Sequence, residues 1–334
     1  MTPLLIVLIV LAIIFDFLNG VHDSSNIVAT MISSRAIQPR AALVITAIAE
    51  FCGPFIFGVA VANTIGHEIV EAQYLNMLVI IAALASAIVW NIMTWILGIP
   101  SSSSHALIGG IIGAVFVGAG VDAIRMAGVW KVLVSLFASP IIGFLAGVII
   151  ANIVYLLCWN ATPRVNGVFK KLQVVTSVGL ALSHGTNDAQ KTMGIITLGL
   201  LISGLIPAFK VPFWVMLVCA GAIALGTSIG GWQLIRTLGS KFYKIRPVHG
   251  FASQITSAIV ILTASLLGGP VSTTQVVSTA IMGVGAAERV SKVRWGVAGE
   301  IASAWLFTIP STALLAAGIY WLLSSGIPLF IQLF

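Results

Sequence analysis

Long apolar runs, broken at a few places by dense polar clusters, set the plan of this chain. Runs near 3–18, 41–62, 75–98, 128–157, 173–203, 213–235, 251–268 and 295–323 have the length and apolar content of membrane-spanning helices. Two shorter glycine-rich runs, 105–121 and 275–287, are ambiguous by length alone; counted as crossings, they bring the total to about ten. The first run lacks a basic n-region and a small-residue cleavage site followed by a soluble chain, so it reads as a retained helix and not a signal peptide.

Composition agrees with this reading. A chain of 334 residues that is 59% hydrophobic and only 7% charged, with a mean hydropathy of +1.12, has more apolar surface than a water-soluble fold can hide. Its net charge of +7 would suit nucleic acid on a soluble domain, but here the basic residues sit in short loops between spans. The expected partner is the lipid bilayer, with no nucleic acid. An outside N-terminus and five crossings in each half put Arg35, Arg40, Arg164, Lys170, Lys171, Arg236, Lys241, Lys244, Arg246, Arg289, Lys292 and Arg294 inside, which is 12 of the 16 Lys and Arg. Arg125, Lys131 and Lys210 fall outside and Lys191 lies within a span, so the positive-inside rule predicts both termini outside. Cys52, Cys158 and Cys219 are scattered in apolar surroundings without CxxC spacing and read as small apolar filler.

The polar clusters recur. "NGVHDSSN" (19–26) aligns with "HGTNDAQK" (184–191), pairing Gly20 with Gly185 and Asp23 with Asp188 at a spacing of 165. "IPSSSSHALIGGIIG" (99–113) aligns with "GPVSTTQVVSTAIMG" (269–283) at a spacing of 170, and Pro140 matches Pro310 at 170 as well. The expected organisation is an N-terminal repeat over 1–158, a cytoplasmic linker over 159–172 and a C-terminal repeat over 173–334. An odd number of crossings per repeat inverts the second against the first. The fold expected is therefore an all-α polytopic membrane protein of two inverted-topology repeats with interrupted or re-entrant helices, an architecture frequent in secondary transporters and present in channels too.

Each cluster has a chemistry. Glycine within a helical run lets the backbone unwind or another chain approach closely. A carboxylate inside the membrane costs about 2.5–3.5 kcal/mol on insertion scales, so Asp23 and Asp188 must face a partner, a cavity or an ion path. Clustered hydroxyls after a proline mark a helix start, where Ser102, Ser103, Ser104, Ser272, Thr273 and Thr274 either cap their own helices or receive an anion. Two anion-receptive helix starts beside two buried carboxylates suit an oxyanion bound together with cations, the pattern of anion symport. Glu50 lies mid-span as a candidate cation ligand or proton carrier, and Gln254 is a candidate ligand or a helix-packing group. Lys191 would contact an anion or pair with Asp188. His22, His105 and His184 sit within the motifs as proton carriers or orienting donors. An anion channel stays open; a hydrolase built on the adjacent Ser24, His22 and Asp23 does not, because neighbours in sequence cannot easily form a relay, and no enzyme activity is expected.

At these motifs the chain resembles the inorganic phosphate transporter (Pit) family, and most of all its bacterial low-affinity permeases. "NGVHDSSNIVAT", "GIPSSSSHALIGGIIG", "LSHGTNDAQKTMGI" and "GGPVSTTQVVSTAIMGVG" occur in the family's order across nearly the whole chain. The resemblance implies an inverted-repeat fold in the cell membrane and uptake of inorganic phosphate driven by Na⁺ or H⁺, in some bacterial members as a complex with a divalent metal such as Mg²⁺, and no other cofactor. By position it implies substrate contacts at Ser102, Ser103, Ser104, Ser272, Thr273, Thr274, Asn187 and Lys191. It implies cation binding or coupling at Asp23, Asn26, Glu50, Asp188 and Gln254. Gln254 stands where eukaryotic members carry a second glutamate, and a glutamine cannot carry a proton. Sulfate or another oxyanion remains the alternative substrate, and homo-oligomerisation is open.

Overall fold

The computed structural model describes residues 2–70, 75–99, 101–232, 235 and 245–331. Pro100, in the first hydroxyl cluster, and Arg236, Lys241 and Lys244, counted among the inside charges, lie outside the described residues. Ten long helices carry the described chain: α1 (Pro3–Ser33), α2 (Pro39–Phe57), α3 (Met77–Leu97), α4 (Ser103–Gly118) and α5 (Met126–Leu157), then α6 (Val165–Ile202), α7 (Phe213–Ile229), α8 (Pro247–Leu266), α9 (Thr273–Glu288) and α10 (Trp295–Ile331). Among the described residues, six of these (α1, α2, α3, α5, α8 and α10) are long and apolar enough to cross a membrane. The ambiguous runs are real helices of 16 residues each, α4 and α9.

Helices pack across the two halves in matched pairs. α1 lies against α7 and α6 against α2; likewise α5 packs on α9 and α10 on α4. Gly20 and Gly185 make the first two approaches possible: a Cβ on Gly20 would sit 2.1 Å from the Ile223 carbonyl oxygen, and one on Gly185 would sit 2.1 Å from that of Glu50. Close approach, and not unwinding, is thus the use of these glycines, because α1 and α6 run unbroken through both Asp motifs. That continuity corrects two expectations. The first helix does not end at 18 but continues to Ser33, since its polar groups meet protein partners and not lipid. Val165–Leu172, expected in the linker, forms the first turns of α6, so the connection is shorter than 159–172.

The interruption falls elsewhere. α2 ends at Gly58, and the chain resumes in a single turn, Ala60–Asn63, that passes into a π-helical turn, Thr64–Glu68. Gln190 of α6 satisfies the broken backbone: its side-chain oxygen accepts from the Val61 and Ala62 amides at 2.7 and 3.2 Å, and its nitrogen donates to the Gly58 carbonyl at 2.5 Å. The left-handed Gly98 and Gly268 (φ +66° and +72°) turn the chain out of α3 and α8 into the two hydroxyl clusters.

Burial departs from that of a water-soluble protein on the surface and among the polar groups, though an apolar core including Leu5, Leu8, Phe15 and Leu84 remains inside. Trp130, Phe137, Ile141, Leu145, Ile149 and Ile153 form an exposed apolar stripe on α5, whereas Asp16, Asn19, Asp23, Glu50, Asn187, Asp188 and Lys191 are buried. Cys52, Cys158 and Cys219 are free thiols.

Candidate functional site

Five helices bring the chemistry to one place: α1 and α6 through the middle of their length, α4 and α9 through their first turns, and α2 through Glu50. Ser102 and Ser272 are the N-caps of α4 and α9, accepting from the amides of His105 (3.2 Å) and Gln275 (3.4 Å). His105 Nδ1 lies a further 2.7 Å from Ser102 Oγ. Capping therefore occupies Ser102 and Ser272, Ser101 before the first cap donates to Thr94 Oγ1 at 2.9 Å, and the two hydroxyls after each cap are released to reach other helices.

Those next hydroxyls point at the carboxylates. Ser103 donates to Asp23 Oδ2 at 3.4 Å, and Thr273 donates to Asp188 Oδ2 at 2.9 Å. One position further on, the reach is across the halves. Thr274 donates to Asp23 Oδ1 at 2.9 Å and accepts from Asn26 Nδ2 at 3.0 Å, while Ser104 accepts from Lys191 Nζ at 2.5 Å and donates to the Val271 carbonyl at 2.9 Å. Asn26 Nδ2 also donates to Asp23 Oδ1 at 2.9 Å, and Lys191 pairs directly with Asp188 Oδ1. Asn187 donates to Ser265 Oγ at 2.8 Å and accepts from the Val271 amide at 3.4 Å, fixing the loop before α9.

His184 joins the two carboxylates. Its Nε2 lies 2.8 Å from Asp188 Oδ2 and 3.8 Å from Asp23 Oδ2, and its Nδ1 lies 2.7 Å from Glu50 Oε1. His22 Nδ1 is 3.0 Å from Asp23 Oδ1. Ligand atoms of Asp23, His184 and Asp188 fall within 4.8 Å of one another, a spacing that can hold a cation. All the side chains of this cluster are buried, and buried carboxylates with bound hydroxyl, amide and imidazole partners are the arrangement in which charge is tolerable inside a membrane.

Nine of the thirteen site residues expected from the sequence (Asp23, Asn26, Glu50, Ser103, Ser104, Asp188, Lys191, Thr273 and Thr274) bond or pair into this network; Ser102 and Ser272 border it as helix caps, Asn187 holds the adjacent loop, and Gln254 lies apart. It accepts from Thr176 Oγ1 at 2.6 Å and donates to Thr30 Oγ1 at 3.0 Å, joining α8 to α6 and α1, about 10 Å along α1 from Asp23 by the helical rise between residues 23 and 30. The sequence left the role of His184 open, although that residue sits at the hub. The only signal in the sequence is its position four residues before Asp188, one helical turn away on the same face.

Residues 19–162 and 157–316 match the phosphate transporter family. The chain belongs to that family. Among the curated relatives of this transporter, the probable low-affinity inorganic phosphate transporter of Rhizobium meliloti (strain 1021) is 47% identical over 321 residues, covering 96% of both chains. That of Bacillus subtilis (strain 168) is 45% identical over 325 residues, covering 96% of this chain and 97% of its own. A solved structure described as the sodium-dependent phosphate transporter is similar with a TM-score of 0.90 at 26% identity, over 97% of this transporter and 99% of that chain. The paired motifs thus sit in a family whose curated relatives are named as phosphate transporters.

Proposed function

We propose that the protein imports inorganic phosphate across the cell membrane by symport with a cation, in alternating access about the buried Asp23–Asp188 cluster. The observation that carries the reading is the convergence of hydroxyls from two helix starts on the two carboxylates and their lysine, Ser103 of α4 and Thr274 of α9 on Asp23, Thr273 of α9 on Asp188, and Ser104 of α4 on Lys191, which pairs with Asp188. Phosphate oxygens take these hydroxyls, the first-turn amides and Lys191, with Asn187 holding the loop. Ser102 and Ser272 contribute by fixing the helix starts. The cation sits by Asp23 and Asn26, with Asp188, His184 and Glu50 completing the charge balance. Helix starts suit a tetrahedral anion because unpaired amides and the positive end of the dipole face it.

The repeat assignment belongs to the same proposal: an N-terminal repeat over 1–158 and a C-terminal one that begins with α6 at Val165, inverted and of five crossings each, with both termini outside. The matched contacts α1 with α7 and α6 with α2, and α5 with α9 and α10 with α4, are what two such repeats related by a pseudo-two-fold axis produce. Gln254 serves the α1–α6–α8 seam in this scheme.

The name of the structural neighbour favours Na⁺ as the coupling ion. A specific contact favours H⁺: a histidine touching two carboxylates and within 4 Å of a third is built to pass a proton. The experiment is ³²P-phosphate uptake into proteoliposomes with Na⁺ and pH gradients imposed separately, each with and without Mg²⁺. Uptake above equilibrium in one gradient assigns the ion, and dependence on Mg²⁺ assigns a metal–phosphate substrate. Downhill flux indifferent to both gradients, or normal uptake by Asp23→Asn, overturns symport at this cluster; preference for sulfate overturns the substrate.

A further inference from the structure

The two halves of the cluster are built alike but charged differently. At the spacing of 165 that pairs Asp23 with Asp188, Asn26 corresponds to Lys191 and Asn19 corresponds to His184. The second half therefore carries basic side chains at these two positions where the first carries amides, while His22 of the first half corresponds to the amide Asn187 of the second, so each of the two Asp motifs has one histidine and Lys191 is the difference in charge. Their contacts correspond as well. Asn26 meets the hydroxyl of Thr274 on the opposite half, and Lys191 meets that of Ser104, its counterpart at the spacing of 170.

We propose that the Lys191 ammonium is a tethered cation, standing in the second half where the first half takes a mobile one. Nζ is surrounded by a carboxylate oxygen of Asp188, the Ser104 hydroxyl at 2.5 Å and the Val271 carbonyl at 3.2 Å. Carboxylate, hydroxyl and backbone carbonyl are the oxygen donors that a small hard cation also takes, and a compact ammonium with three donors meets them at similar distances. The first half offers the same kind of oxygens with no lysine among them, and a histidine stands beside each carboxylate, His22 Nδ1 3.0 Å from Asp23 Oδ1 and His184 Nε2 2.8 Å from Asp188 Oδ2. Asn26 Oδ1 and both side-chain polar atoms of Asn19 are buried without a hydrogen-bond partner, and Asn19 lies one helical turn from Asp23 on the same face of α1. Unpartnered buried oxygens on residues within one helical turn of a carboxylate ask for a positive ion or another donor. The asymmetry means that one carboxylate carries its own counter-charge through the transport cycle and only the other exchanges its cation with the medium.

The inference rests on the phosphate-symport reading of the cluster, and its test separates the two. Saturable ²²Na⁺ binding is measured on the purified full chain, for the wild type and for Lys191→Asn, alongside ³²P-phosphate uptake by the wild type. Lys191→Asn, which makes both halves Asp–Asn, is expected to bind one more Na⁺ per chain than the wild type. An unchanged Na⁺ count in a folded, monodisperse Lys191→Asn overturns the tethered cation while leaving wild-type uptake, and so the transport reading, intact. Absent wild-type uptake instead sinks the transport reading. Where Lys191→Asn is not recovered folded, Lys191→Gln decides: it also removes the ammonium and leaves an amide oxygen in its place, so it is expected to bind one more Na⁺ per chain than the wild type, and an unchanged count overturns the proposal.

Discussion

The Thr274 hydroxyl donates to Asp23 Oδ1 at 2.9 Å, although 251 positions of chain separate the two residues. This bond ties the first turn of α9 to the middle of α1, so the carboxylate of one half is positioned by the other half. Thr274→Val keeps the shape and removes the donor, leaving a buried carboxylate oxygen short of one bond at a cost of about 1–3 kcal/mol. Phosphate uptake is expected to fall on the order of 10-fold or more, with Thr274→Ser near the parent. Equal uptake by the valine and serine variants would remove this bond from the site.

Glu50 Oε1 lies 2.7 Å from His184 Nδ1. Glu50→Gln keeps an acceptor for His184 Nδ1 and removes the charge, so the fold is expected to survive while coupled uptake is lost. Monodispersity in detergent checks the first and gradient-driven ³²P uptake the second. Wild-type uptake by a folded Glu50→Gln would show that its charge plays no part in coupling.

Adding a methyl at the helix crossings tests the packing. Gly185→Ala places a Cβ 2.1 Å from the Glu50 carbonyl oxygen, an overlap that backbone must move to relieve, at about 1–3 kcal/mol. The thermal midpoint in detergent is expected to drop. On the same helix Gly179, with nothing within 4 Å of a built Cβ, accepts alanine and gains up to about 1 kcal/mol from helix propensity. A lower midpoint for Gly179→Ala than for Gly185→Ala would contradict this account.

Gln190 closes three backbone bonds at the break after α2. Gln190→Ala leaves those buried groups unpaired at about 1–3 kcal/mol each, so it is expected to destabilise more than the alanine variant of a solvent-facing polar residue such as Asn166. Hydrogen exchange across Gly58–Glu68 should rise with it; unchanged protection there would mean that other groups hold the turn.

Gln254 joins α8 to α1 and α6 and does not touch either carboxylate network. Gln254→Ala is expected to lower thermal stability while the response of uptake to Na⁺ and pH gradients keeps its wild-type form. A changed ion dependence in this variant would bring Gln254 into the coupling site.

The sequence alone determined the membrane-helical class, the family, the pairing of motifs and nearly all residues of the cluster, because apolar run length and costly buried polar groups are written locally in the chain. It did not determine where the helices break. Glycine beside Asp23 and Asp188 reads equally as a hinge or as a contact point, and only the neighbouring backbones of Ile223 and Glu50 decide for contact. Nor could it separate capping from binding within SSSS and VSTT, because each hydroxyl has the same local pattern; the tertiary structure gives Ser102 and Ser272 to their own helix ends and turns the following hydroxyls toward Asp23, Asp188 and Lys191. The position of His184 between three carboxylates, and the separation of Gln254 from them, depend on how α1, α2, α6 and α8 pack. Spacing along one helix fixes which face a side chain takes, but only packing between helices fixes what that face meets.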